Sequence, residues 1–257
     1  MFCTQCGARV TATERVCPMC GSPIGSSSRP MPSQSSQSSR PRRTEPLALT
    51  FVEEGDVLAR IVVDPNVASR VSFGRSQDND VVVSSPTRIV SGHHGVVVTH
   101  DGWCVLTDAG SANGLWFKGT RQSEFRVANG DVAFIGKPRP GARRCVIVVS
   151  DANVYWVPVA LRGRLGVAVG RTADNDVMIA DATISTRHAF LHRDEDSWVI
   201  EDLNSTNGTQ VDGQRVGRMP RRLSAGSKIV FGNVCALCAG ECLLVQTDSP
   251  PQQTPHP

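Results

Sequence analysis

The chain holds 257 residues, 40% of them hydrophobic and 20% charged, with a formal net charge of +3. This is the composition of a soluble globular protein with room for one large domain or two small ones plus appendages, and the charge points to no class of partner. No basic stretch followed by an apolar one opens the chain, and no apolar run approaches the roughly 18 residues of a membrane helix, so neither a secretory leader nor a membrane segment is expected. The expected location is cytoplasmic, where thiols stay reduced, so the nine cysteines read as metal ligands or core residues before disulfides.

Residues 1–25 carry two short units, Cys3-Thr4-Gln5-Cys6-Gly7 and Cys17-Pro18-Met19-Cys20-Gly21. Tetrahedral Zn²⁺ takes four thiolates, and a Cys-x-x-Cys turn lets two of them reach one ion. The glycine after each pair permits the bend and leaves amides free to donate toward sulfur. So short a segment cannot bury a core, and metal binding would supply its folding free energy. The segment resembles a bacterial zinc ribbon, with Cys3, Cys6, Cys17 and Cys20 holding Zn(2+). Disulfides or redox-active pairs are the competing reading. With Arg9 and Arg15 as its cations and Phe2 as its aromatic, it is poorly equipped to stack bases or neutralise phosphates. A structural or protein-contact role is expected, and nucleic acid is not.

Residues 26–46 are Ser, Gln, Pro and Arg with almost no apolar content, so nothing there offsets chain entropy and a disordered linker is expected. Arg29, Arg40, Arg42 and Arg43 make it basic. Thr44, behind the last three of these, resembles the site of a basophilic kinase. A plain solvated tether is the simpler reading.

From residue 47 onward the pattern changes. Leu58-Ala59-Arg60-Ile61-Val62-Val63, Gly95-Val96-Val97-Val98 and Lys228-Ile229-Val230-Phe231 are short, β-branched runs bounded by turn residues, and helical periodicity is nearly absent. Regularly spaced short strands predict a sandwich or barrel. Hairpin turns at His100-Asp101-Gly102 and Asp194-Glu195-Asp196 lead into Trp103 and Trp198, both expected in the core. The region repeats itself. Gly74 and Gly170, Arg75 and Arg171, and Asp80 and Asp176 all lie 96 apart, whereas Ser91 and Ser185, His94 and His188, and Asn113 and Asn207 lie 94 apart. Gly136 and Gly232 return to 96, so the whole span reads as a duplication. The run Cys145-Val146-Ile147-Val148-Val149 fits either copy by this register. The two domains, 47–150 and 151–248, are therefore expected to abut without a flexible linker, one being a strand short or both sharing this edge.

Within each copy three loop clusters keep their order: Gly170-Arg171, then Ser185-Thr186-Arg187-His188, then Ser205-Thr206-Asn207-Gly208-Thr209, with GRSQDND, SGHH and GSANG upstream. This arrangement resembles the forkhead-associated (FHA) domain, a β-sandwich whose loops bind phosphothreonine peptides. The fold expected is mainly β: two tandem FHA-like sandwiches behind a zinc ribbon and a linker. The resemblance implies that Arg171 and Arg75 take the phosphate, that Ser185 and Ser91 give it a hydroxyl, and that Asn207 and Asn113 bond the peptide backbone beyond the phosphothreonine. Thr186, Arg187 and Thr206 join the second pocket; His93 and Ala112 stand in place of the last two in the first, which should be weaker. His188 and His94 are implied to brace the loops from behind, with Gly170, Gly74, Gly208 and Gly114 shaping them. A phosphate carries about −1.5 to −2 charges and three acceptor oxygens, which suits a fixed cation, a hydroxyl and free amides on loops of a rigid scaffold.

Cys104, Cys145, Cys235, Cys238 and Cys242 are expected as core thiols, since strand alternation scatters the last three. Residues 249–257 form a polar tail. Ser91 and His94 lie three apart with no third orienting group, so no enzyme is expected. The function implied is a phosphothreonine-peptide-binding adaptor or scaffold in Ser/Thr kinase signalling, with phosphorylated Thr44 as a further ligand in cis. The alternatives are a nucleic-acid-associated factor using ribbon and linker, or a scaffold indifferent to phosphate.

Overall fold

The computed structural model describes Thr11, residues 44–138 and residues 144–249. Cys3, Cys6, Cys17 and Cys20, most of the expected linker and the end of the tail lie outside the described residues. Every regular element described is a strand. The first eleven are β1 (Leu47–Glu53), β2 (Asp56–Val63), β3 (Ser69–Gly74), β4 (Val81–Val82), β5 (Gly95–His100), β6 (Trp103–Asp108), β7 (Leu115–Phe117), β8 (Thr120–Gln122), β9 (Glu124–Val127), β10 (Val132–Ile135) and β11 (Cys145–Asp151). The next eleven are β12 (Tyr155–Ala160), β13 (Gly166–Gly170), β14 (Val177–Met178), β15 (Ala189–Asp194), β16 (Ser197–Asp202), β17 (Thr209–Val211), β18 (Gln214–Arg215), β19 (Arg221–Leu223), β20 (Lys228–Phe231), β21 (Val234–Cys238) and β22 (Cys242–Thr247).

They form two sandwiches. In the first, a six-stranded sheet ordered β2-β1-β11-β10-β7-β8 faces a five-stranded sheet ordered β4-β3-β5-β6-β9. In the second, β12-β22-β21-β20-β17-β18 faces β14-β13-β15-β16-β19. Alternation sends one side of each strand inward, as in β9, where Phe125 and Val127 are buried and Glu124 and Arg126 are exposed. The first core packs Leu49, Phe51, Phe73, Leu106, Leu115, Ile135 and Ile147; the second packs Val167, Leu191, Trp198, Ile200, Ile229, Phe231 and Leu243.

The doubtful run belongs to the first sandwich. β11 pairs with β1 from Leu47↔Asp151 to Glu53↔Cys145 and with β10 on its other side. Neither copy is short of a strand and none is shared, contrary to the two expected outcomes. The second copy instead follows β20 with a tight hairpin into β21, which takes the place that β11 has in the first. The last strand, β22, then fills the position of β1, between β21 and β12. A chain end can supply that position from either terminus because the sheet needs an antiparallel partner there, whatever its place in sequence.

β1 and β11 are buried along nearly their whole length, on both faces. Their second face is covered by the other sandwich: Val52, Phe134, Val146 and Val148 of the first meet Trp156, Leu237, Cys242 and Leu244 of the second in a third apolar core. Three residues separate β11 from β12. The Arg60 guanidinium grips that connection, with Nη2 donating to the carbonyls of Ala152 and Val154 and the ring of Tyr155 at 4.5 Å.

Trp198 lies in the core, as expected. Trp103 does not: it is 47% exposed, its ring covered by the Arg126 guanidinium at 4.0 Å. Of the sandwich thiols, Cys104, Cys145, Cys238 and Cys242 are buried, and Cys235 is half-buried. Burial pushes the Cys104 thiol up to about 12 and that of Cys238 to about 11.

Candidate functional site

In each sandwich the three loop clusters leave the same end. They follow β3, precede β5 and follow β6 in the first copy, and follow β13, precede β15 and follow β16 in the second. A Cβ on Gly74 would stand 2.1 Å from the Gly92 carbonyl oxygen, and one on Gly170 would stand 2.2 Å from that of Thr186. With no side chain there, the first and second loops close together: Arg75 N donates to Ser91 O at 2.9 Å and Arg171 N to Ser185 O at 3.0 Å. The buried Asn79 and Asn175 sit behind this junction. Asn79 Nδ2 donates to Ser76 O and Gly92 O, both at 2.8 Å, and Asn175 Nδ2 donates to Thr172 O at 2.9 Å and Thr186 O at 2.8 Å.

The second loop is tied to the third by its serine. Ser91 Oγ accepts from Ala112 N at 3.1 Å; Ser185 Oγ accepts from Thr206 N at 3.0 Å and donates to Thr206 Oγ1 at 3.3 Å. Asn113 Nδ2 donates to Ile89 O and Asn207 Nδ2 to Thr183 O, each at 2.7 Å. The amide is thereby held by its nitrogen, and its Oδ1 makes no hydrogen bond among the described residues.

Both histidines are fully buried. His94 Nδ1 accepts from Ser91 N at 3.0 Å, and His188 Nδ1 from Ser185 N at 3.1 Å. The ring nitrogen nearest each serine is thus engaged by the backbone amide and not by Oγ, which is bracing rather than nucleophile activation. His188 Nε2 bonds Gly208 O at 3.3 Å; His94 Nε2 lies towards Gly114 O but reaches no hydrogen bond among the described residues. Burial pushes the His94 imidazolium down to about 4, against the opposing pull of Asp108 and the Gly114 carbonyl. Burial lowers His188 as well, opposed by the Gly208 carbonyl and Asp202.

The third loop has a support that sequence reasoning missed. Ser111 and Ser205 accept from the amides of Gly114 and Gly208 at 3.0 Å, and are themselves held by Asp108 and Asp202. Asp202 also accepts from Ser205 Oγ at 2.7 Å and Thr209 Oγ1 at 2.6 Å. Burial works to raise the Asp202 carboxyl, but these bonds and His188 win and hold it below the usual range. The signal was present: Asn79 and Asn175 obey the 96 offset, and Asp108 with Asp202 and Ser111 with Ser205 obey the 94. Gly114 and Gly208 have φ of +71° and +79°, and the guanidinium groups of Arg121 and Arg215 lie where a Cβ would be.

The cations differ between copies. Arg171 and Arg187 are exposed; Arg75 is half-buried, its Nε enclosed. Asp174 is held below the usual carboxylate range first by the Thr172 hydroxyl and also by Arg187, which places that charge on the side of the first loop. In the first copy His93 occupies the matching position, 3.4 Å from Asp78. Thr186 is exposed, with its carbonyl committed to Asn175 and Thr172.

A family model described as the FHA domain matches residues 71–136 and again 167–232, together half of the chain. The chain belongs to the FHA domain family. A model described as a zinc-ribbon domain matches residues 2–24, which include Cys3, Cys6, Cys17 and Cys20. Curated relatives include FHA domain-containing protein FhaB of Mycobacterium tuberculosis, 44% identical over 70 residues (27% of this chain, 44% of the relative). An oxoglutarate dehydrogenase inhibitor of Corynebacterium jeikeium is 38% identical over 65 residues (25% and 44%). The chain therefore spans less than half the length of these relatives. Among solved structures, the Mycobacterium tuberculosis Rv1747 FHA-1 domain is 26% identical with a TM-score of 0.31, covering 41% of this chain and 98% of that one. The FhaA FHA domain complexed with the intracellular domain of Rv3910 is 27% identical with a TM-score of 0.25 (32% and 79%).

Thr44 is held against the first FHA sandwich. Its N donates to Asn66 Oδ1 at 3.1 Å, its Oγ1 to Gly102 O at 3.2 Å, and its carbonyl accepts from Asn66 Nδ2 at 2.6 Å. Gly102 closes the β5–β6 hairpin, at the end of β5 away from the loops. Capture of Thr44 by the first site would mean breaking these bonds and crossing the length of β5, about 20 Å.

Proposed function

We propose that this protein is a non-enzymatic adaptor that binds phosphothreonine peptides through its FHA loops, chiefly those of the second copy. The observation that supports it is the joined trio of the second site: Ser185 Oγ held by Thr206, Asn207 pinned to Thr183 O, and exposed Arg171 on a loop bonded to Ser185. Arg171 would pair with the phosphate, Ser185 and Thr206 would donate hydroxyls to it, and Asn207 Oδ1 would accept from the peptide backbone. In the first copy Arg75, Ser91 and Asn113 would do the same, without the Thr206 hydroxyl and with His93 in place of Arg187.

Ser/Thr kinases acting in the cytoplasm are the source of such ligands. Among the described residues no helix is long and apolar enough to cross a membrane. The thiolates of Cys3, Cys6, Cys17 and Cys20 suit one tetrahedral Zn²⁺, which would fold the ribbon as a structural centre. Titration of the full chain with phosphothreonine peptides and their unphosphorylated twins tests the reading. Arg171→Ala should weaken the tighter phosphate-dependent site by about 10- to 150-fold, the loss of about 1.5–3 kcal/mol of charge-assisted bonding. Equal binding with and without phosphate would favour a phosphate-indifferent scaffold instead.

A further inference from the structure

The third apolar core fixes where the two loop clusters point. The β1–β2 turn lies at the loop-bearing end of the first sandwich, since neighbouring Glu53 accepts from Thr87 in the second loop of that site. This turn meets the second sandwich at Ala160 and Arg162: a Cβ on Gly55 would stand 3.1 Å from Ala160 Cβ, and Glu54 pairs with Arg162 at 3.1 Å. Ala160 ends β12, and the chain must still traverse β13 before reaching the loops at Gly170. The turn therefore rests on the loop-free end of the second sandwich.

The opposite relation holds at the other end of β12. Cys145 sits beside Ile135 near the first loops, so Asp151 lies at the loop-free end of the first sandwich. Four residues later Tyr155 pairs with Thr247, on the side where Asn233 N donates to Thr183 Oγ1 in the second site's loops. Arg60 clamps this junction from β2. Along β2 and β12 the sandwiches thus run head to tail, whereas at the far edge their loop-free ends meet, a Cβ on Gly130 lying 3.6 Å from Lys228 Nζ. They therefore cross obliquely over a buried interface of Val52, Val146, Val148, Trp156, Leu237 and Leu244, and the loop clusters diverge. β12 has six residues, about 20 Å of strand, and four stacked sheets about 10 Å apart set the two sites a further ~20 Å across, so they stand on the order of 30 Å apart.

From this geometry, and resting on the phosphopeptide reading above, we infer that the tandem is a cross-bridge. It joins two separate phosphothreonine-bearing chains at two diverging, well-separated loop clusters of one body, and is not a clamp for two phosphothreonines close together on one chain. Spanning the sites takes at least about nine fully extended residues, and more to pass around the body.

The test uses the full chain, with Arg75→Ala and Arg171→Ala as single-site variants. Singly phosphorylated peptide should bind in two equivalents, falling to one in each variant, by calorimetry. A peptide with two phosphothreonines about five residues apart should gain no more than the statistical factor of about twofold, and light scattering should show it linking protein chains into larger assemblies. A tenfold or greater gain in a one-to-one complex of unchanged protein mass would overturn the bridge in favour of a clamp. One equivalent, lost in Arg171→Ala and indifferent to Arg75→Ala, would also overturn it while leaving the second reader intact. No phosphate-dependent binding anywhere would remove the underlying reading and the bridge with it.

Discussion

At the scale of single residues, the loops hold their shape through groups that never face a ligand. His94 is the clearest case, since its neutral ring is required to accept from Ser91 N and burial disfavours its charged form. Its folded pKa, about 4, lies below the 6.5 usual for a histidine. A depressed histidine favours the folded state most above the unfolded pKa and loses that contribution as pH falls through the folded one. Acidification from about 6.5 to 4 should therefore remove on the order of 3 kcal/mol of stability through this residue. Denaturant melts across that range, compared with His94→Asn, should show a flatter curve in the variant. A variant as steep as the wild type would assign the acid sensitivity to the carboxylates.

At the scale of elements, β22 carries two burdens. Leu243 points into the second FHA core, and its neighbour Leu244 into the interface between sandwiches; both are fully buried. A surface sheet would let one of two adjacent positions tolerate truncation. Here Leu243→Ala and Leu244→Ala should each cost about 2–5 kcal/mol in denaturant unfolding. Leu244→Ala should leave phosphopeptide affinity unchanged, because the residue touches neither loop cluster. A cost below about 0.5 kcal/mol for Leu244→Ala would show that the interface contributes little.

At the scale of the molecule, the shared third core makes the two sandwiches one mechanical unit. Splitting them would expose Val146, Val148, Trp156 and Leu237 together, a contiguous apolar face of the kind monomers seldom present to water. The full chain should unfold in a single calorimetric transition whose van't Hoff and calorimetric enthalpies agree for residues 44–249. Two resolved transitions would mean that the sandwiches melt independently and that the fixed separation of the loop clusters is lost before the fold is.

Much of this protein was written in local pattern. Strand alternation, the paired offsets of 96 and 94, and the order of Gly-Arg, Ser-x-x-His and Asn-Gly gave a duplicated β-sandwich and its loops, because each of those signals is imposed by backbone geometry within a few residues. The run Cys145-Val146-Ile147-Val148-Val149 read as a strand that fits either copy, and its burial on both faces emerged only from the packing. The ownership of that strand, the entry of β22 into the place of β1, the exposure of Trp103 and the diverging directions of the two loop clusters were decided only in three dimensions. Each depends on which apolar surface finds which partner, and such pairing joins residues as far apart as Val52 and Leu244, where no local rule of sequence reaches.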